Sequence, residues 1–353
     1  MVGILIAIVI FGLIIAIHEF GHFAVAKLCG VKVNKFAIGM GPRLIKFQKG
    51  ETEYSLRLFP IGGFCAMEGE DETSEDDRAF NNKPVWKRML VVVAGAAMNI
   101  ILGFVLLIVL NSMNGDIPSM KIASFHRVEN ERGEIVEYTS SSYECGLREG
   151  DVIHSLNGLR IFSATDLSYK LSSTNEETFD VEVIRDGKKI TIDDVKFEDT
   201  KNGGRLDFYL TGLDRTPLNV LNYSVKDTIS TARLIWISLL DLIKGRYGVN
   251  ELSGPVGIVS TIGEAASVGD TIKENVLSLI NLTIFITINV GVCNMLPIPA
   301  LDGGRFVFLL IEAIRRKPVK PEHEGYVHLA GMLLLFALMI FATYNDILRL
   351  IKG

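Results

Sequence analysis

The segment His18-Glu19-Phe20-Gly21-His22 holds the residue types best suited to chemistry. Two histidines at i and i+4 of a helix fall on one face, about 40° apart, where both reach a single Zn2+. Glu19 lies beside them, placed to take a proton from an attacking water. With 6 His and 41 acidic residues in the 353-residue chain, a chance H-[DE]-x-x-H is expected only ~0.01 times. Catalytic zinc sites use a third protein ligand and keep one position open. Residues 294–304, NMLPIPALDGG, offer Asp302 at the edge of another apolar stretch. Pro297 and Pro299 interrupt regular helix there, which membranes tolerate only where the backbone lines protein or a wet cavity. Glu312 and Glu322 are alternative third ligands whose spacing fits less well.

The elements that position these groups are strongly apolar. Residues 1–26 carry Glu19 as their only charge, residues 89–110 and 275–301 carry none, and residues 325–345 have His328 as their only ionisable group. Each block reaches the roughly 20 residues that cross about 30 Å of hydrocarbon as a helix. The first block lacks a basic n-region and a cleavage site, so it reads as a span and not as a signal peptide. The spans are placed at 1–26, 89–112, 275–304 and 324–346, with 305–323 as a loop. Lys27, Lys32, Lys35, Lys83, Lys87 and Arg88 border the segment between the first two spans. Arg305, Arg315, Arg316, Lys317 and Lys320 lie between the last two. The excess of Lys and Arg puts these segments in the cytoplasm and both termini outside. An ionisable group inside a span, such as Glu19, is a functional candidate by default.

The stretch 113–270 holds 17 basic and 25 acidic residues, a net of −8, and reads as an acidic soluble domain. The whole-chain net of −5 gives no support to nucleic-acid binding, which calls for a basic face. Four cysteines, at 29, 65, 145 and 293, are too scattered for a disulfide scaffold, and Cys145 has no partner on its side. Residues 116–212 read as mostly β: 179–184 and 189–192 alternate around Asp186-Gly187, a type I′ hairpin signal. Residues 145–158, CGLREGDVIHSLNG, resemble the core of PDZ domains, which implies a groove that adds a peptide strand to a sheet edge. A size filter or spacer is an equal reading, and His126 and His154 read as ordinary strand or surface residues. The connector 213–272 holds an amphipathic helix near 218–245. Trp236 either anchors this helix at the membrane interface or packs it on the domain. A turn-rich strip follows at 253–258.

HExxH in the first span and N-x-x-P-x-P-x-L-D-G-G in a later one resemble the site-2 protease family of intramembrane zinc metalloproteases, bacterial RseP type. The resemblance covers nearly the whole chain. Gly95 and Asn99 match the family's G-x-x-x-N element, and Asn289 sits where the family has an asparagine. One PDZ-like unit fits here, where some relatives carry two. The resemblance implies a polytopic α-helical membrane protein of about four transmembrane helices, with an inserted PDZ-like α+β domain and a membrane-associated β-hairpin or sheet in 27–88. It implies a bacterial inner-membrane location with the PDZ-like domain extracytoplasmic. One Zn2+ per chain would sit on His18, His22 and Asp302, with Glu19 as general base and proton shuttle. Asn294, Asn99 and Asn289 would contact the substrate backbone or its developing oxyanion. The substrates implied are single-span membrane proteins, such as anti-sigma factors and remnant signal peptides, cut within the bilayer.

A transmembrane helix hides its peptide bonds in internal hydrogen bonds, so such a substrate must unwind. Residues 36–42, 53–58 and 61–67 read as short strands separated by glycines, and an edge at Tyr54 and Leu56 is expected to hold the unwound chain as an added strand. The acidic run 68–77 reads as a solvated loop. Two other readings are a membrane-anchored zinc protease acting on soluble chains and a scaffold that binds through its PDZ-like domain. The intact HEFGH argues against the scaffold.

Overall fold

Long apolar stretches without helix breakers give the long helices. In a computed structural model of the chain, α1 (Val2–Leu28) runs straight through HEFGH. It leads into β1 (Val33–Lys49) and β2 (Thr52–Met67), then α2 (Val85–Met113). The insert contains β3 (Ile117–Phe125), β4 (Arg127–Glu129), β5 (Ile135–Tyr138), α3 (Ser141–Glu144), β6 (Val152–Leu156) and β7 (Leu159–Arg160). It continues with α4 (Ala164–Ser172), β8 (Phe179–Arg185), β9 (Lys188–Val195) and β10 (Phe208–Leu213). The chain ends with α5 (Pro217–Ile243), α6 (Pro255–Ala265), α7 (Ile272–Asn294), α8 (Asp302–Arg315) and α9 (Pro321–Lys352). The structure describes residues 2–70, 74–113, 115–129, 135–138, 140–172, 176–197, 206–246, 253–317, 319 and 321–352. Parts of the acidic run (71–73) and of the expected PDZ-like domain (130–134, 139, 173–175 and 198–205) lie outside the described residues.

Among the described residues, four helices are long and apolar enough to cross a membrane: Val2–Leu28, Val85–Met113, Ile272–Asn294 and His323–Ile351. The chain is a multi-pass membrane protein with a β-rich insert. The third span stops at Asn294 and does not run to 304, because Pro297 and Pro299 lack the N–H that would continue the helix. Residues 302–315, expected within that span and the loop after it, form the separate helix α8. The turn-rich strip expected at 253–258 is the start of α6. Pro255 fits its first turn because that N–H needs no helical partner. Asp346 of α9 supplies the missing acceptors, taking the N–H of Gly254 at 3.0 Å and of Gly257 at 2.7 Å.

The chain divides into two compact units, residues 1–106 with 238–353, and residues 107–237. In the first, Ala7, Ile10 and Ile14 of α1 pack with Ile262 of α6 and Ile286 of α7. A second cluster joins Ala26, Val33, Cys65, Met67, Val91 and Leu309. Arg88 of α2 donates to Glu312 of α8 at 3.1 and 2.5 Å through both terminal nitrogens. Glu312 is therefore consumed by a half-buried bidentate pair.

β1 and β2 are longer than the short strands expected, and they fold over on themselves. Phe36 pairs with both Tyr54 and Cys65, Ile38 with both Leu56 and Gly63, and Tyr54 with both Phe36 and Phe47. The lateral order is thus 63–67, 33–38, 53–56, 45–49. This corrects the edge expected at Tyr54 and Leu56: they sit in an inner segment paired on both sides, and the two edges are 63–67 and 45–49. Tyr54 instead packs in an aromatic cluster with Phe23, Phe36 and Phe47.

In the second unit the sheet runs β10-β3-β6-β8-β9, with β7 beside β6. Its core includes Ile122, Phe125, Leu147, Ile153, Leu156, Val181, Val183 and Phe208. The β8–β9 turn has φ of 52° at Asp186 and 74° at Gly187, the type I′ signature. α5 docks on this unit by its polar face. Asp166 accepts from Ser230 at 2.7 Å and Arg233 at 2.6 Å, and Asp227 accepts from Thr165 at 2.7 Å. Burial pushes the Asp227 carboxyl above its ordinary range. The opposite face of α5 leaves Leu221, Val225, Ile229 and Trp236 exposed.

Candidate active site

The two histidines depend on how closely α1 and α2 approach. A Cβ at Gly21 would overlap the Ala94 carbonyl, and one at Gly95 would overlap His22 Nε2 and lie 2.7 Å from His18 Cε1. Only glycine leaves room for both imidazoles at this crossing. His22 Nδ1–H donates to the Val91 carbonyl at 2.8 Å, which leaves its Nε2 lone pair free to bind a metal. His18 Nδ1 lies 3.2 Å from the Asn99 amide nitrogen, while Asn99 Oδ1 is buried without a partner. Turning the amide over, an orientation that hydrogen bonding must decide, lets Oδ1 accept from His18 Nδ1–H. His18 Nε2 is then also a free lone pair.

Asp302 arrives from the other end of the chain. Residues 295–301 leave α7 and turn through Ala300, which has a left-handed φ of 78°. Ala300 donates its N–H to His328 Nδ1 of α9 at 2.9 Å. A Cβ at Gly303 would overlap the Leu296 carbonyl, and one at Gly304 would lie 2.5 Å from the Ile298 carbonyl. The paired glycines thus let α8 start directly beneath the loop, with Asp302 as its first residue.

Three acceptor atoms converge. His18 Nε2 and His22 Nε2 are 3.1 Å apart, and Asp302 Oδ2 lies 3.2 and 3.5 Å from them. Bonds of about 2.0–2.1 Å to a tetrahedral zinc give ligand-to-ligand edges of about 3.3–3.4 Å. The spacing and the donor set fit zinc. Asp302 Oδ2 is buried with no hydrogen-bond partner, as an atom directed at a cation would be. This is the one His/Cys/Asp/Glu group of metal-holding geometry among the described residues.

The triad opens on a cavity of about 320 Å³, lined also by Glu19, Phe64, Cys65, Ala66, Met67, Glu70 and Arg305. Burial, with Glu19 nearby, pushes the Cys65 thiol up, so it stays a neutral part of the wall. Gly63 packs on α1: a Cβ there would lie 3.0 Å from Glu19 Cγ. The strand edge 63–67 therefore runs beside Glu19.

The sequence-derived candidates divide. His18, Glu19, His22 and Asp302 share the cavity, and Asn99 touches His18 from behind. Asn289 accepts from Cys293 Sγ at 3.2 Å, and neither it nor the half-buried Asn294 lines the cavity. Tyr54 and Leu56 do not line it either. Cys65, Glu70 and Arg305 do, and were not read as site residues. The acidic run is more than a solvated loop: Glu70 pairs with Arg305, and Lys32 lies 3.0 Å from Asp76. The Asn34 amide and the Ser74 hydroxyl hold the Glu68 carboxyl below its ordinary range. Of the alternative third ligands, Glu312 is bound to Arg88, and the side chain of Glu322 lies outside the described residues.

The sequence profile of peptidase family M50 matches residues 6–338. The chain belongs to this family, the site-2 proteases. It is 32% identical to the regulator of sigma-W protease RasP of Bacillus subtilis strain 168, over 97% of each chain. It is 31% identical to the zinc metalloprotease RasP of Bacillus licheniformis, over 97% of this chain and 98% of that one. The zinc metalloprotease RasP of Shouchella clausii is 30% identical over 97% of this chain and 98% of its own. The first alignment spans 428 positions, more than the 353 residues here, so that relative carries residues which this chain lacks. Family and donor set agree: the M50 chain is a zinc metalloprotease.

Proposed function

We propose that this chain hydrolyses peptide bonds within the transmembrane segments of single-span membrane proteins, with His18, His22 and Asp302 holding one zinc and Glu19 acting as general base and proton shuttle. One observation carries the reading: the three converging ligand atoms, Glu19 and an unpaired strand edge line a single cavity beside membrane-spanning helices. Zinc, when bound, lowers the pKa of a water to about 7 and polarises the scissile carbonyl. Glu19 takes the proton of the attacking water and delivers it to the leaving nitrogen. The edge 63–67 accepts the unwound substrate as an added strand, so new backbone hydrogen bonds replace those lost from the substrate helix. Asn99 orients His18, and Asn294 and Asn289, outside the cavity lining, are assigned to the substrate backbone.

The relative named for sigma-W regulation supports anti-sigma factors as one substrate type, and remnant signal peptides belong to the same single-span class. The Lys and Arg distribution supports an inner-membrane orientation with the catalytic end cytoplasmic and residues 107–237 outside. There the PDZ-like sheet binds or filters incoming chains.

The test is bound zinc and cleavage of a single-span model substrate in detergent. Wild type should bind one zinc and cleave. Glu19→Gln should keep the zinc and lose at least 100-fold in rate, and Asp302→Ala should lose both. Full activity in either variant would sink the assignment. Cys65→Pro tests the groove, since it deletes an outward N–H and no bond to β1. It should abolish cleavage with zinc retained.

A further inference from the structure

The edge beside the site is not uniformly open. Among the described residues, 63–67 pair with β1 on one side only. Glu68 donates its N–H to the Lys32 carbonyl at 2.9 Å. Alternation along a strand therefore turns the N–H of Met67 away from β1, along with those of Cys65 and Gly63. These are the rungs an incoming strand meets, and the last is taken: Met67 donates its N–H to Glu70 Oε2 at 3.3 Å. The other carboxylate oxygen of Glu70 accepts from Arg305 Nη1. Arg305 lies on α8 three residues after Asp302, about one helical turn. Glu70 and Arg305 both line the cavity that holds His18, Glu19, His22 and Asp302.

We propose that Glu70 is the register stop of the substrate groove. Its carboxylate stands where a substrate carbonyl would pair with Met67, closing the ladder at that rung. Through Arg305 the stop is tied to the helix that carries Asp302. An added strand then begins at Cys65, and one peptide bond is presented to the site. The inference rests on the strand-addition reading above and deepens it. A slip of two residues preserves both the hydrogen-bond pattern and the side-chain faces of an added strand, so an unmarked edge admits several registers, each cutting a different bond. A charged acceptor bonds an N–H more strongly than a neutral carbonyl does, so substrate does not displace it. Glu70 touches no reacting atom and is a positioning residue.

The positions of scission, read by mass spectrometry, test this on the full chain in detergent with a single-span model substrate, beside bound zinc. Wild type should cut at one bond. Glu70→Ala, which removes the acceptor, should add a product displaced by two residues, amounting to at least a tenth of the total. Glu70→Gln, which keeps an acceptor oxygen but loses the charge, should give less of the displaced product than Glu70→Ala, and all should bind one zinc. Glu70→Ala that cuts only at the wild-type bond, or binds zinc and cuts nothing, overturns the proposal. If Glu70→Ala loses zinc and so reports misfolding, Arg305→Gln decides: a displaced product supports the stop, and the wild-type product alone overturns it. Cys65→Pro separates the two levels. Unchanged cleavage there removes the groove itself, whereas lost cleavage there with no displacement at Glu70 removes only the stop.

Discussion

Gly95 shapes the metal centre without contributing an atom to it. A Cβ there would overlap His22 Nε2, so Gly95→Ala should cut bound zinc below a tenth of the wild-type content while helix content by circular dichroism is unchanged. Zinc near one per chain in that variant would show that the imidazoles have room to move. Asn99 acts from the other side of His18, and loss of such an orienting partner lowers metal affinity by about 10–100-fold. Asn99→Ala should show that drop in chelator competition. At this scale legibility followed distance along the chain. His18, Glu19 and His22 declare themselves because i and i+4 share a helix face whatever the fold. Asp302 was legible because so few ionisable groups border the spans. Glu70 and Arg305 were not, because a pairing across 235 residues has no local pattern. One read as part of an acidic loop and the other as a topology charge.

Among the elements, the spans (apart from the end of the third), α5 and the β8–β9 hairpin were legible, since hydropathy and turn chemistry are local. α6 was not, because its start depends on an acceptor that α9 supplies. Asp346 takes two backbone N–H groups at that start, and it is 2% exposed. Leaving a buried donor without an acceptor costs about 1–3 kcal/mol. Asp346→Ala should therefore lower the melting temperature in detergent by several degrees, and Asp346→Asn, which keeps one acceptor oxygen, by less. No change in either would mean that water replaces the carboxylate. The β1–β2 edge was misassigned for a related reason. Alternation identifies a strand but not how many partners it has, and only the fold-over of 33–38 between 53–56 and 63–67 moves the edge away from Tyr54. α5 was read either as an interfacial helix anchored by Trp236 or as a helix packed on the domain, and its polar face shows the packing. The polar side meets Thr165 and Asp166, and the apolar side is left outward with Trp236 44% exposed. An outward apolar face of this kind would suit the membrane interface, and fluorescence tests that placement. In a Trp86→Phe background, which removes the only other tryptophan, Trp236 emission should be blue-shifted in liposomes and quenched by brominated lipid. Water-like emission without quenching would place that face elsewhere.

The whole molecule divides its labour between two units, and the metal belongs to one of them. His18 and His22 lie on α1 and Asp302 on α8, so a zinc held by these three, as proposed, would cross-link segments 280 residues or more apart inside the unit made of residues 1–106 and 238–353. A ligand that binds only the folded form stabilises it by RT ln(1 + [L]/Kd), about 1.4 kcal/mol for each tenfold rise above Kd and about 4 kcal/mol at a thousandfold excess. Three acceptor atoms facing one another without a cation also repel, so the apo site should loosen beyond that mass-action loss. Titrating free zinc downward should lower the melting temperature steadily to an apo plateau, whereas Asp302→Ala should sit near that plateau at every zinc concentration. Hydrogen exchange locates the effect. Chelation should speed exchange at 295–305 and along the 63–67 edge, which packs on α1 at Glu19. Residues 107–237, whose core of Phe125, Leu156, Val183 and Phe208 is complete without the metal, should exchange as before. Equal loss of protection in both units would mean that the chain unfolds as a single cooperative body and that zinc stabilises the insert as much as the spans.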